Sequence, residues 1–187
     1  LTRPGTILKY TFLGYQNNGA NNKSTLPGTI NVTDGTANTC NPGTPVTIDA
    51  SNNMLWVPVT GPDGNILAEI FANGNNLGTV TSSFYKHSGT LRTLGSNRYL
   101  DRNITISPQN QPTLPAGNPL VRVRFYMSQA EFDALDLDPL SGVNGIGDVK
   151  ILKNNDVCNG LVLAATTLIN PVYAEMHGSN NGYMLQA

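Results

Sequence analysis

The chain offers few side chains that could do chemistry, and they are widely scattered. Its two histidines, His87 and His177, are the only imidazoles available as a general base. Nucleophilic catalysis needs such a base held against a hydroxyl or thiol and oriented by a third group. His87 lies in Tyr85-Lys86-His87-Ser88-Gly89 and His177 in Glu175-Met176-His177-Gly178. Both read as strand ends, away from any nucleophile-elbow pattern. Glycoside hydrolysis needs two carboxylates flanking the scissile bond. Glu69 and Glu175 sit among apolar neighbours and are the pair that strands could bring face to face. Two separate strand carboxylates is the simpler expectation.

Oxygen ligands cluster once. Asp133, Asp136 and Asp138 fall within six residues, and Asp148 follows the glycine-rich run Ser141 to Gly147. Loops of this composition can hold calcium, so Asp136, Asp138 and Asp148 are weak calcium candidates, with solvated turns as the simpler reading. The spacing is not that of an EF-hand, and Gly142, Gly145 and Gly147 lack the Lys-Ser/Thr ending of a phosphate loop. No cofactor is otherwise implied. Asn22, Asn31 and Asn103 each open an Asn-X-Ser/Thr sequon, which matters only where N-glycans are attached. Six tyrosines, at 15, 85, 99, 126, 173 and 183, are candidate sugar platforms, but strands would turn half of them into a core.

Cys40 and Cys158 are the two cysteines, in the similar contexts Cys-Asn-Pro-Gly and Cys-Asn-Gly. One disulfide between them would close a loop of over a hundred residues and points to an oxidising compartment. Two free thiols are the alternative. A zinc site would need ligands that two histidines poorly supply.

The elements that must carry these residues are strands. Only 12% of the 187 residues are charged, against 39% hydrophobic, and the polarity comes from 24 asparagines and 19 threonines. Threonine suits strands, while asparagine, 19 glycines and 12 prolines suit turns. Strands are expected over Gly5 to Leu13, Thr29 to Thr33, Val46 to Asp49, Met54 to Val59, Ile66 to Phe71, Leu77 to Lys86, Thr90 to Leu94 and Arg98 to Ile106. Further strands are expected over Leu120 to Met127, Val149 to Lys153, Leu161 to Thr166, Pro171 to His177 and Gly182 to Ala187. Gln16 to Gly28 reads as a loop. Pro62-Asp63-Gly64-Asn65 and Asn73-Gly74-Asn75-Asn76 are turn signals, the second a strong hairpin signal. Arg102 falls on the apolar side of its strand and needs a partner there. One short helix is expected from Ser128 to Leu135, where Ser128 and Glu131 have capping-box spacing. The fold class is therefore all-β, a two-sheet sandwich, immunoglobulin-like or jelly-roll-like, in one domain spanning residues 1–187.

A net charge of −1 without a basic stripe lacks the footprint of a nucleic-acid binder, and no apolar run approaches the roughly 20 residues of a membrane span.

Several runs carry a resemblance. They are Gly61 to Ile70, Asn73 to Val80, Arg98 to Ile106, Val121 to Tyr126, and Glu131-Phe132. Together they resemble the β-sandwich modules near the ends of large secreted surface proteins of Bacteroidota, many exported by type IX secretion. The likeness covers roughly Val57 to Leu135, and the Cys158 segment and Gly178 to Gln186 also fit. It implies an extracellular or cell-surface β-sandwich in an adhesin-like or structural protein, and it transfers no catalytic residue. Such a unit would be a module of a longer chain or a self-contained subunit of a filament. Partners would be further copies, joined through terminal strands (Thr6 to Leu13, Tyr183 to Ala187) or edge strands, and cell-surface glycans; a carbohydrate-binding module is the alternative.

Overall fold

The computed structural model describes residues 7–9, 25–29, 35–89, 91–94, 97–100, 102–113, 121–153, 158, 167–176 and 182–187. The fold is all-β with a single described α-helix, as expected. Two sheets dominate. The larger has five antiparallel strands: β5 (Trp56–Thr60), β6 (Ile66–Phe71), β11 (Arg122–Ser128), β15 (Gly182–Gln186) and β14 (Val172–Met176), in the order β14-β15-β11-β6-β5. The second is built on the nine-residue β7 (Gly78–Lys86). It pairs on one side with β10 (Arg102–Pro108) and on the other with β3 (Asn41–Pro42) and β4 (Val46–Ile48). Three small ladders complete the described strands: β1 (Ile7–Lys9) with β2 (Thr25–Thr29), β8 (Arg92–Leu94) with β9 (Asn97–Tyr99), and β12 (Ile151–Lys153) with β13 (Thr167–Ile169).

One apolar cluster draws residues from both sheets. Val57, Val59, Ala68 and Ile70 come from the larger sheet, and Ile48 and Val80 from the smaller, with Leu77 and Ala72 between them. Val123, Phe125, Ile104 and Ile106 pack against this cluster. Each fully buried Val, Ile or Leu contributes roughly 1.5–3 kcal/mol of transfer free energy, so this cluster is the main reason the sheets stay together. A second cluster, Met127, Phe132, Leu135, Val149 and Leu185, seats the helix α1 (Gln129–Asp136) on the far end of the larger sheet.

The turn before β6 behaves as its sequence indicates: Gly64 takes φ +78° and β5 pairs with β6 as a hairpin. The second turn does not close a hairpin. Asn73 (φ 52°) and Gly74 (φ 85°) supply the left-handed pair that such turns need. The chain nevertheless leaves the larger sheet there, and β7 pairs with β10, β3 and β4 instead of β6. Gly78 (φ +66°) makes a further bend before β7 begins. A strong local turn thus fixes a reversal of direction, but not which strand receives the returning chain.

Other expectations shift in detail. Thr25–Thr29 is a strand, where a loop was expected up to Gly28, because it finds a partner in Ile7–Lys9. Arg98 to Ile106 divides into β9 and β10, and β10 runs on through Pro108, which can hold an end position because a strand terminus needs no further ladder donor. The strand expected at 161–166 lies outside the described residues, as do most of Gln16 to Gly28, Ile30 to Thr33 and residues 114–119.

Candidate functional site

The two cysteines meet. Cys40 and Cys158 form a disulfide with Cα atoms 5.9 Å apart across a separation of 118 residues. Cys40 immediately precedes β3, so the bond anchors the margin of the smaller sheet to the segment that follows β12.

Two of the carboxylates named as calcium candidates have partners within the chain. Asp138 receives Arg98 Nε at 3.2 Å and accepts the Leu140 N–H at 2.8 Å. Asp148 Oδ2 accepts the Asn144 N–H at 2.9 Å, tying off the glycine-rich loop from within. Asp136 ends α1. Among the described residues no three His, Cys, Asp or Glu side chains gather as a metal site.

Glu69 and Glu175 are not a catalytic pair. They lie on β6 and β14, three strand spacings or about 14 Å apart across the sheet. They also face opposite ways: Glu69 is in register with Arg124, and Arg124 with Gln186 and so with Val172, whereas Glu175 is in register with Tyr183. His87 ties the end of β7 to a neighbouring turn, its Nδ1 2.9 Å from Asn38 Oδ1 and 3.1 Å from Arg92 Nη2. His177 lies outside the described residues, as do Asn22, Asn31 and Tyr15. Asn103 is half-buried in β10, opposite Tyr85.

Sequence reading missed a charged cluster inside the larger sheet. Alternation puts Leu67, Glu69 and Phe71 on the face of β6 opposite the inter-sheet core, and both Leu67 and Glu69 are buried, Glu69 completely. The Tyr126 hydroxyl donates to Glu69 Oε2, and Arg124 Nη1 lies 3.7 Å from the same oxygen. Arg124 is stacked 3.6 Å from the Trp56 ring centroid and its Nε donates to Gln186 Oε1 at 3.3 Å. Arg122 lies 4.4 Å over the Phe71 ring, which itself meets Trp56 at 5.5 Å. Register explains the grouping. Trp56, Phe71 and Arg122 form one cross-strand row, and Pro58, Glu69, Arg124 and Gln186 the next. A buried ion pair of this kind is costly to break from one side, about 3–5 kcal/mol, because the remaining charge is stranded. The alternation of Arg122, Arg124 and Tyr126 with Val123 and Phe125 was the available signal.

The tyrosines divide by burial. Tyr85 and Tyr126 are core residues, Tyr99 and Tyr183 are half-buried, and Tyr173 is 45% exposed. Arg124 covers one face of the Trp56 ring.

The sheet margins are unequal. β15, the terminal strand expected to reach a neighbour, is paired on both sides and has no free edge to offer. β5 carries Pro58, which has no N–H to donate, and Thr60 is bridged to Thr44. β14 is the last described strand on its side of the larger sheet. It contains no proline, and Val172 (69% exposed) and Tyr173 extend into solvent.

Among the described residues no helix is long and apolar enough to cross a membrane. No protein-family profile, no curated protein and no solved structure matches the chain.

Proposed function

We propose that this chain is a non-catalytic extracellular module of a structural or adhesive surface assembly, one that makes its contacts through sheet edges. The observation that carries the reading is β14: among the described residues it is the outermost antiparallel strand on its side of the larger sheet, without proline or lysine, and its side chains Val172 and Tyr173 are exposed. Edge strands are ordinarily blunted by proline, charge or cover, and one left open is a template for strand addition. The disulfide supports an oxidising location. The low charge of the chain is compatible with subunits that pack closely.

Negative-stain electron microscopy with light scattering on the same purified sample tests this. Fibres or discrete oligomers are the expected result. Monodisperse particles of about 20 kDa at every concentration would remove self-assembly and leave a glycan-binding module, to be tested on a glycan array.

A further inference from the structure

We propose that β14 is the surface through which two copies of this chain pair, antiparallel and two-fold symmetric about Ala174. This rests on the edge-contact reading above and specifies its partner and register. Three observations select β14. Among the described margins of the two large sheets it alone exposes large apolar side chains, Val172 and Tyr173. β5 is blunted by Pro58 and by the Thr44 bridge. β10 shows half-buried polar side chains at Arg102, Asn103 and Thr105, with Arg102 directed to Glu131.

The sequence of β14 complements itself. Pairing about Ala174 uses all five residues, Val172 to Met176. Tyr173 then faces Glu175 of the second copy, with the same contact repeated by symmetry, while Val172 falls in register with Met176, whose side chain is buried within its own protomer. Each exposed tyrosine hydroxyl meets an exposed carboxylate, and no glutamate faces a glutamate. Shifting the axis to Glu175 would set two carboxylates opposite each other, which is unfavourable. Shifting it to Tyr173 would bring Pro171 into the ladder without an N–H to give. The contact is isologous, so it yields a closed pair and joins two five-stranded sheets edge to edge.

The test is sedimentation equilibrium on the intact, oxidised chain with four variants. The wild type is expected to dimerise reversibly. Tyr173→Glu sets glutamate against glutamate twice and should raise the dissociation constant about tenfold. Adding Glu175→Lys to it restores opposite charges and should recover most of the loss. Under mild oxidation Ala174→Cys should cross-link into a dimer and Val172→Cys, which does not face its own copy, should not. Association that ignores Tyr173→Glu, or cross-linking at Val172→Cys as efficient as at Ala174→Cys, overturns this interface while leaving edge-contact assembly in place. A wild type that stays monomeric up to millimolar concentration overturns both.

Discussion

Glu131 joins three elements through one carboxylate. Its Oε2 accepts the Ser128 N–H at 2.8 Å, while its own N–H donates to Ser128 Oγ at 3.1 Å, closing the capping box of α1. The same carboxylate receives Arg102 Nη1 at 3.1 Å, and Arg102 Nη2 donates to the Tyr126 carbonyl at 2.6 Å. The arginine that falls on the apolar side of β10 is thus neutralised by the helix cap of another element. Glu131→Ala removes the carboxylate's bond to the Ser128 N–H and its ion pair with Arg102 and should cost about 2–3 kcal/mol in urea unfolding, whereas Glu131→Gln keeps the first and should recover part of the loss. Tyr183 sets an alkaline limit. Burial, above all, raises its hydroxyl above the ordinary value of 10.0; Glu175, Asp133 and Asp136 nearby add to this, against a hydrogen bond with Gln129 that lowers it. The unfolded chain therefore loses this proton first. Stability is unaffected below about pH 10 and falls as pH rises through the folded value. Tyr183→Phe should flatten that decline in melts taken between pH 9 and 11.

At the scale of elements, strand existence was legible and strand partnership was not. The Pro-Asp-Gly-Asn turn names its hairpin because both flanking strands remain in one sheet. Asn73-Gly74 has equally good turn chemistry, yet its strands part company, since burial of Ile48, Leu77 and Val80 against the opposing sheet outweighs the local signal. Glu69 was visible as a strand carboxylate with apolar neighbours. That it is wholly buried depends on Tyr126 and Arg124, more than fifty residues away. No local pattern encodes that meeting. The partner of Asp138 is hidden from local pattern in the same way: Arg98 lies forty residues upstream. Gly43 is where the two large sheets are stitched together. Its N–H donates to Ser82 of β7 at 2.9 Å, and the next N–H, of Thr44, to Thr60 of β5 at 3.1 Å. A Cβ at this position would lie 2.1 Å from Ser82 Oγ and 2.5 Å from the Thr60 carbonyl oxygen. Gly43→Ala should therefore cost about 1–3 kcal/mol. Adding Ser82→Ala should relieve only one of the two clashes, and paired urea midpoints would show it.

For the molecule as a whole, the disulfide outweighs any single side chain. Loop-closure entropy for a separation of 118 residues corresponds to about 5 kcal/mol, a large fraction of the 5–15 kcal/mol by which domains are stable. Replacing both cysteines with serine should lower the denaturant midpoint strongly without altering the strand content seen by circular dichroism at low temperature. If the midpoint is unchanged, the bridge spans segments already held by other contacts.

The same bond has a mechanical meaning. Suppose force is applied between residues 1 and 187. Everything from Cys40 to Cys158, including the whole smaller sheet and three of the five strands of the larger, lies behind a covalent shunt. Only the 39 residues before Cys40 and the 29 after Cys158 are free to pay out. At 3.3–3.6 Å per extended residue that is about 230 Å, roughly a third of the contour an unbridged chain would release. β14 and β15 fall in the extensible part, while β5, β6 and β11 fall in the shielded part. Under tension the larger sheet would part between β15 and β11, with its remaining strands and the whole smaller sheet kept intact behind the bridge.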